Sequence, residues 1–163
     1  YIASRMISVF AGTGTTIFCL RIGKLAFEKK TLRWTFAVFT SFLPQFVFLS
    51  SYFNSDSFAV LTCTAIFYYW LRGLRDGWDV KSCLGLGIWI GLCALSYYNA
   101  YGYILCSVII FCASILSRKQ EKKENIKFLI KMGFFIFLVA FVIAGWFFVR
   151  NFILYHGESP EPL

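Results

Sequence analysis

Residues 132–149, MGFFIFLVAFVIAGWFFV, decide the fold class. The stretch carries no charge, and eighteen such residues in a row mark a transmembrane helix. The rest of the chain could not hide it in a water-soluble core. Of 163 residues, 59% are hydrophobic and 21% aromatic, and Phe alone accounts for 20. Charged residues make up 15%, against about 25% in a soluble globular domain. In lipid the backbone must satisfy its own hydrogen bonds, so helices are expected. The reading is an all-α, polytopic transmembrane helix bundle.

Five further apolar windows precede this one, at residues 5–20, 35–53, 57–71, 83–97 and 100–116, which makes about six spans. The first holds Gly12 and Gly14, the second carries Pro44 in mid-span, and the fourth holds Gly85, Gly87 and Gly91. The third and fourth are short for a bilayer and have room to extend into their flanking loops. The fourth and fifth can also be read as one element broken around residues 97–102.

Charge placement orients the bundle. Lys and Arg total 16 and the formal net charge is +8. Apart from Arg5 and Arg150, every one falls in segments 21–34, 72–82 or 117–131. The alternate loops, 54–57 and 97–101, contain none. The positive-inside rule places the three basic segments in the cytoplasm and both chain ends outside. The net charge then reflects topology and attraction to lipid surfaces. It does not read as a nucleic-acid footprint, since no stretch interleaves basic and aromatic residues as a single-strand binder does.

Several chemistries lack their residues. The six cysteines lie mostly within spans, without CxxC spacing, and read as small packing residues. His156 is the single histidine, so neither a metal site nor a cofactor is expected. No phosphate-loop, GxGxxG or GxSxG pattern appears. No secretory leader is expected at the start, which reads as part of a span.

The informative polar residues collect at the outer rim. Asp56, in Asn54-Ser55-Asp56-Ser57, is the one acid on the outer side among the first five spans. An ionisable group beside a span is a functional candidate, and a helix cap at Asn54 or Asp56 is the equal alternative. Arg5 and Arg150, the latter followed by Asn151, sit at outer span ends where the positive-inside rule disfavours them. An arginine fork suits phosphate, while snorkelling to the headgroups is the alternative. Tyr97, Tyr98, Asn99, Tyr101 and Tyr103 form a third cluster, read either as an interfacial aromatic belt or as the polar rim of a lipid-head or sugar site.

Four pieces of the chain then resemble, in order and spacing, the polyprenyl-phosphate-sugar-dependent membrane glycosyltransferases of type C fold. That group includes the protein O-mannosyltransferases and the lipid A aminoarabinose transferases. RMISVFAGTGTTIFCLRIGKLAF (5–27) resembles their second span, with Arg5 and Ser8 matching an Arg-x-x-Ser opening. LPQFVFLSSYFNSDSFAVL (43–61) resembles their next element, with Asn54 and Asp56 matching Asn-x-Asp. GIWIGLCALSYYNAYG (87–102) resembles their Gly-Leu-Ala-x-Leu-Thr-Lys-Tyr stretch. AGWFFVRNFILYHG (144–157) resembles their Pro-Trp-x-x-Arg-Asn-x-x-x-x-Gly stretch through Trp146, Arg150, Asn151 and Gly157, with one more residue in each of its two intervals.

The resemblance implies a polyprenyl-phosphate-linked sugar donor, a lipid or protein acceptor, and transfer at the outer face of the cell membrane. Arg5 and Arg150 would bind the donor phosphate, and Asp56 would be an accessory acid. Asn54, Tyr97, Tyr98 and Asn151 would form the donor and acceptor rim. Two positions depart from the pattern: Ser96-Tyr97 replaces Thr-Lys, removing a lysine contact to the carrier, and Gly145 replaces Pro. The family's principal acid lies in an outer loop ahead of the Arg-x-x-Ser span. The chain is therefore expected to be the N-terminal membrane half of a larger domain, without its first span and C-terminal part. A transporter or channel segment, or a non-catalytic scaffold, are the competing classes. Charged mid-span residues and repeated halves would mark a transporter, and neither is seen. A scaffold would leave Asp56, Arg5 and Arg150 far apart.

Overall fold

The computed structural model describes residues 2–51, 55–96, 100–118 and 122–155, with the side chains of residues 5–51, 55–96, 100–118 and 122–154. Among these the regular elements are helices: α1 (Ile2–Ala26), α2 (Lys30–Ser41), α3 (Pro44–Ser51), α4 (Asp56–Asp76), α5 (Val80–Ser96), α6 (Tyr101–Leu116) and α7 (Lys122–Tyr155). The all-α membrane bundle expected from the sequence is what forms. The fourth and fifth windows are two separate helices, not one broken element.

Local chemistry sets the boundaries. Pro44 has no N–H to continue a helical ladder and pushes the residue before it out of the α region. The second window therefore splits into α2 and α3, bent by 58°, with Pro44 opening α3 where its missing donor is harmless. Gly77 ends α4 with φ +92°, a left-handed conformation that glycine adopts without strain. Asp79 then starts α5, its Oδ1 accepting the Ser82 backbone N–H at 2.8 Å. The third window lengthens at both ends to the 21 residues of α4. Helices α1 and α7 are long and apolar enough to cross a bilayer, as is the α2–α3 pair taken as one bent span, while α5 and α6 are shorter apolar helices. At 34 residues, α7 is about 51 Å long and exceeds the roughly 30 Å hydrocarbon layer.

Small residues let the helices approach. Gly14 faces Leu61 and Arg75 reaches the Leu25 carbonyl, so α1 lies along α4 in the same direction. Gly23 faces Arg33 and Phe36, and Gly12 faces Ser50, which seats α2 and α3 antiparallel on α1. Gly87 and Gly91 face Ile136, Val139, Ala140 and Ile143, joining α5 to α7 in parallel. Helix α6 closes over α4, α5 and α7. Buried Ile66, Trp70, Trp78, Leu86, Ile90, Phe111, Ile115 and Ile136 form the main core.

Several polar side chains of the bundle are paired with the backbone or with each other, as lipid favours. Thr13, Thr15 and Thr16 return their hydroxyls to the carbonyls four residues back. The indoles of Trp70 and Trp78 donate to Ser107 Oγ at 2.9 Å and Ser114 Oγ at 2.6 Å, tying α4 and its following turn to α6.

Candidate functional site

The alternation of helices gathers the three basic connections at one end of the bundle. Arg75 Nη1 donates to the Leu25 carbonyl at 2.7 Å, joining the α4 end to the α1 end. The Arg118 guanidinium approaches Gly77, joining the α6 end to the α4–α5 turn. Asp56 and the start of α6 stand at the opposite end.

At that opposite end a groove of about 670 Å³ opens between α1–α3 on one side and α6 on the other. Its spine is one stripe of α4: Asp56, Val60, Cys63, Thr64 and Phe67. These positions recur at helical spacing, so a single face presents them. From Asp56 to Phe67 the groove descends about 16 Å at 1.5 Å per residue. Cys19, Ile22, Phe36, Thr40 and Leu49 form one wall, and Ala100 and Tyr103 the other.

Asp56 is half-buried in the first turn of α4, with Ser55 at the cap position. A carboxylate there is favoured by the helix dipole. The Ser57 hydroxyl donates to the Leu49 carbonyl at 2.6 Å, which pins the start of α4 to α3 and fixes where Asp56 stands. Thr64 donates to the Val60 carbonyl at 2.7 Å and Thr40 to the Phe36 carbonyl, so each hydroxyl still has acceptor capacity toward the groove. Tyr103 stacks on Trp70, with centroids 5.7 Å apart and planes 14° apart, and Ser107 holds that indole. The groove is thus apolar and hydroxyl-lined along its depth, with a carboxylate and a tyrosine among its lining residues.

The structure brings Asp56 and the beginning of α6 into one site. It does not bring the two arginines there. Arg5 is exposed near the N-terminal end of α1 and Arg150 is exposed near the C-terminal end of α7. Helices α4 and α5 stand between those two, and neither arginine lines the groove. Asn151, next to Arg150, is half-buried. Asn54, Tyr97 and Tyr98 lie outside the described residues. Sequence reasoning passed over Val60, Cys63, Thr64 and Phe67 as site residues. Their signal was the helical stripe running down from Asp56, which an apolar span conceals.

A second cavity, about 240 Å³ between α5, α6 and α7, has no Asp, Glu, Lys or Arg in its lining.

No curated protein and no solved structure matches the chain significantly. Residues 2–146, which span all of the elements that build the groove, match the dolichyl-phosphate-mannose-protein mannosyltransferase family. With that match covering most of its length, the chain belongs to this family of membrane glycosyltransferases that use a polyprenyl-phosphate-sugar donor.

Proposed function

We propose that the chain takes part in transfer of a hexose, mannose by its family, from a polyprenyl-phosphate carrier to a protein hydroxyl at the outer end of the bundle. The single observation that supports this most is the Asp56 groove. It joins a carboxylate at the rim to an apolar slot that runs into the membrane. A polyprenyl carrier has the same division, with its tail in lipid and its reacting phosphate at headgroup level.

In the transfer the acceptor oxygen bonds to the anomeric carbon while the bond from that carbon to the carrier phosphate oxygen breaks. The carrier phosphate leaves with the bonding pair, and the acceptor proton goes to a base. Asp56 serves the acceptor side, taking up or orienting that proton or offsetting positive charge at the sugar. Arg5 and Arg150 are the two candidates to hold the carrier phosphate, either one through charge-assisted hydrogen bonds. Because they stand on separate helices, each receives its own test. Asn54, Tyr97, Tyr98 and Asn151 complete the rim. All six apolar units cross the bilayer in this reading, with the basic loops inside and the chain forming part of a larger membrane domain.

The test is sugar transfer from a polyprenyl-phosphate mannose to an acceptor peptide by the protein in membranes. Loss of transfer in Asp56→Asn at equal protein level supports the assignment. Unchanged rates in Asp56→Asn and in Thr64→Trp, which fills the slot, would remove the groove from the reaction.

A further inference from the structure

At the basic end of the bundle, away from the Asp56 groove, a cleft of about 700 Å³ lies between the end of α4, the α4–α5 turn and the end of α6. Two guanidinium groups and the Asp76 carboxylate border it, and the two guanidinium groups are not equivalent. Arg75 is committed, with Nη1 donating to the Leu25 carbonyl at 2.7 Å and Nε 3.9 Å from Asp76 Oδ1. Arg118 is half-buried, with its guanidinium 5.1 Å over the Phe128 ring. Among the described residues no carboxylate lies within ion-pair distance of it.

The surroundings give this cation a shaped site. Gly77 crosses the cleft at φ +92°, and even a Cβ there would stay 3.7 Å from Arg118 Nη2. Ser117, exposed at the C-cap of α6, adds a hydroxyl to the lining. Leu74, which is exposed, and Ile110, which is half-buried, form an apolar wall of the cleft. A planar fork suits phosphate oxygens better than a point charge does, and the adjoining apolar wall suits methylenes.

We propose that this cleft binds an anionic phospholipid of the leaflet at the basic end, with its phosphate on Arg118 and Ser117 and the start of one acyl chain along Leu74 and Ile110. Diffuse attraction to basic loops does not require such a site. Exposed Lys123 and Lys127 on α7 can supply that without any cleft.

The experiment is native mass spectrometry of the full chain released from bilayers of phosphatidylserine in phosphatidylcholine, counting retained lipid. Wild type is expected to retain one phosphatidylserine in preference to phosphatidylcholine. Arg118→Ala should weaken retention about tenfold or more, and Arg118→Lys should restore part of it. Ser117→Glu, at an exposed position where folding is not at stake, should abolish retention by opposing the phosphate. Lys123→Ala with Lys127→Ala should leave retention unchanged. Equal retention in wild type, Arg118→Ala and Ser117→Glu would overturn the proposal. Loss in the lysine variant equal to that in Arg118→Ala would overturn it in favour of diffuse attraction. Displacement by inorganic phosphate as effectively as by added phosphatidylserine would overturn the lipid assignment in favour of a free-phosphate site.

Discussion

Gly91 of α5 lies so close to Ile143 of α7 that a Cβ on the glycine would sit 2.9 Å from the isoleucine Cβ, and 3.1 Å from the Ala140 carbonyl oxygen. Neither is the tip of a flexible side chain, so the helices themselves would have to separate. Gly91→Ala is expected to destabilise the protein by about 1–3 kcal/mol, the range for overpacking a tight core. A methyl group on Gly102 would meet nothing within 4 Å, so Gly102→Ala should be neutral or slightly stabilising in its helix. Thermal unfolding of the two variants in mild detergent checks the contrast.

Asp56→Asn separates two roles. Asp56 lies in the first turn of α4, behind the cap Ser55, so removing its charge should cost no more than about 1 kcal/mol of helix-dipole stabilisation. If the charge serves transfer, the rate should fall at unchanged carrier binding. Transfer and carrier-binding assays on the same membranes decide it, and wild-type transfer would leave Asp56 only its place in the first turn of α4, at the positive end of the helix dipole.

Arg150→Ala should lower transfer about tenfold to a hundredfold, the worth of a charge-assisted arginine–phosphate bond. Arg150→Lys should recover only part, because a point charge cannot reproduce the fork. Arg5→Ala, measured alone, should show its own loss. A loss from one arginine only would assign the phosphate to that side of the bundle.

The α5 start gives a pH dependence. The hydroxyl and backbone N–H of Ser82, with Arg72 nearby, hold the Asp79 carboxyl below the usual aspartate range. Of the Ser82 groups, the N–H makes the hydrogen bond proper, since Ser82 Oγ is buried without a partner in hydrogen-bond geometry. A depressed carboxylate contributes stability that is complete above the ordinary aspartate value and disappears as pH falls through the depressed one. Wild type should therefore lose stability on acidification, and Asp79→Asn should show a flatter profile. Asp79→Ala should cost about 1 kcal/mol at neutral pH through loss of the cap. Unfolding temperatures across the acid range test both.

Orientation is checked by labelling single cysteines introduced into a cysteine-free background. An impermeant thiol reagent added outside should modify position 55 and leave position 123 unmodified until the membrane is opened. The reverse pattern would invert the bundle.

Much of the architecture was legible in the residues because it depends on local chemistry. Uncharged runs such as 132–149 require helices in lipid, Pro44 must interrupt a ladder, and Gly77 suits a helix end. The basic segments fell between spans, so alternation alone gathered them at one end. Asp56 stood out as a costly charge beside a span. What no local pattern carries is the choice of neighbour. In a membrane, lipid-facing and helix-facing positions are both apolar, and helices gain no hydrophobic drive to meet. The 132–149 stretch of α7 is accordingly apolar around its whole circumference, and its fit onto Gly87 and Gly91 rests on shape. The same ambiguity concealed the stripe from Val60 to Phe67, which becomes a groove only because α1–α3 and α6 stand on either side of it. Tertiary packing also decided that Arg5 and Arg150, equivalent in sequence as outer arginines, belong to helices with α4 and α5 between them.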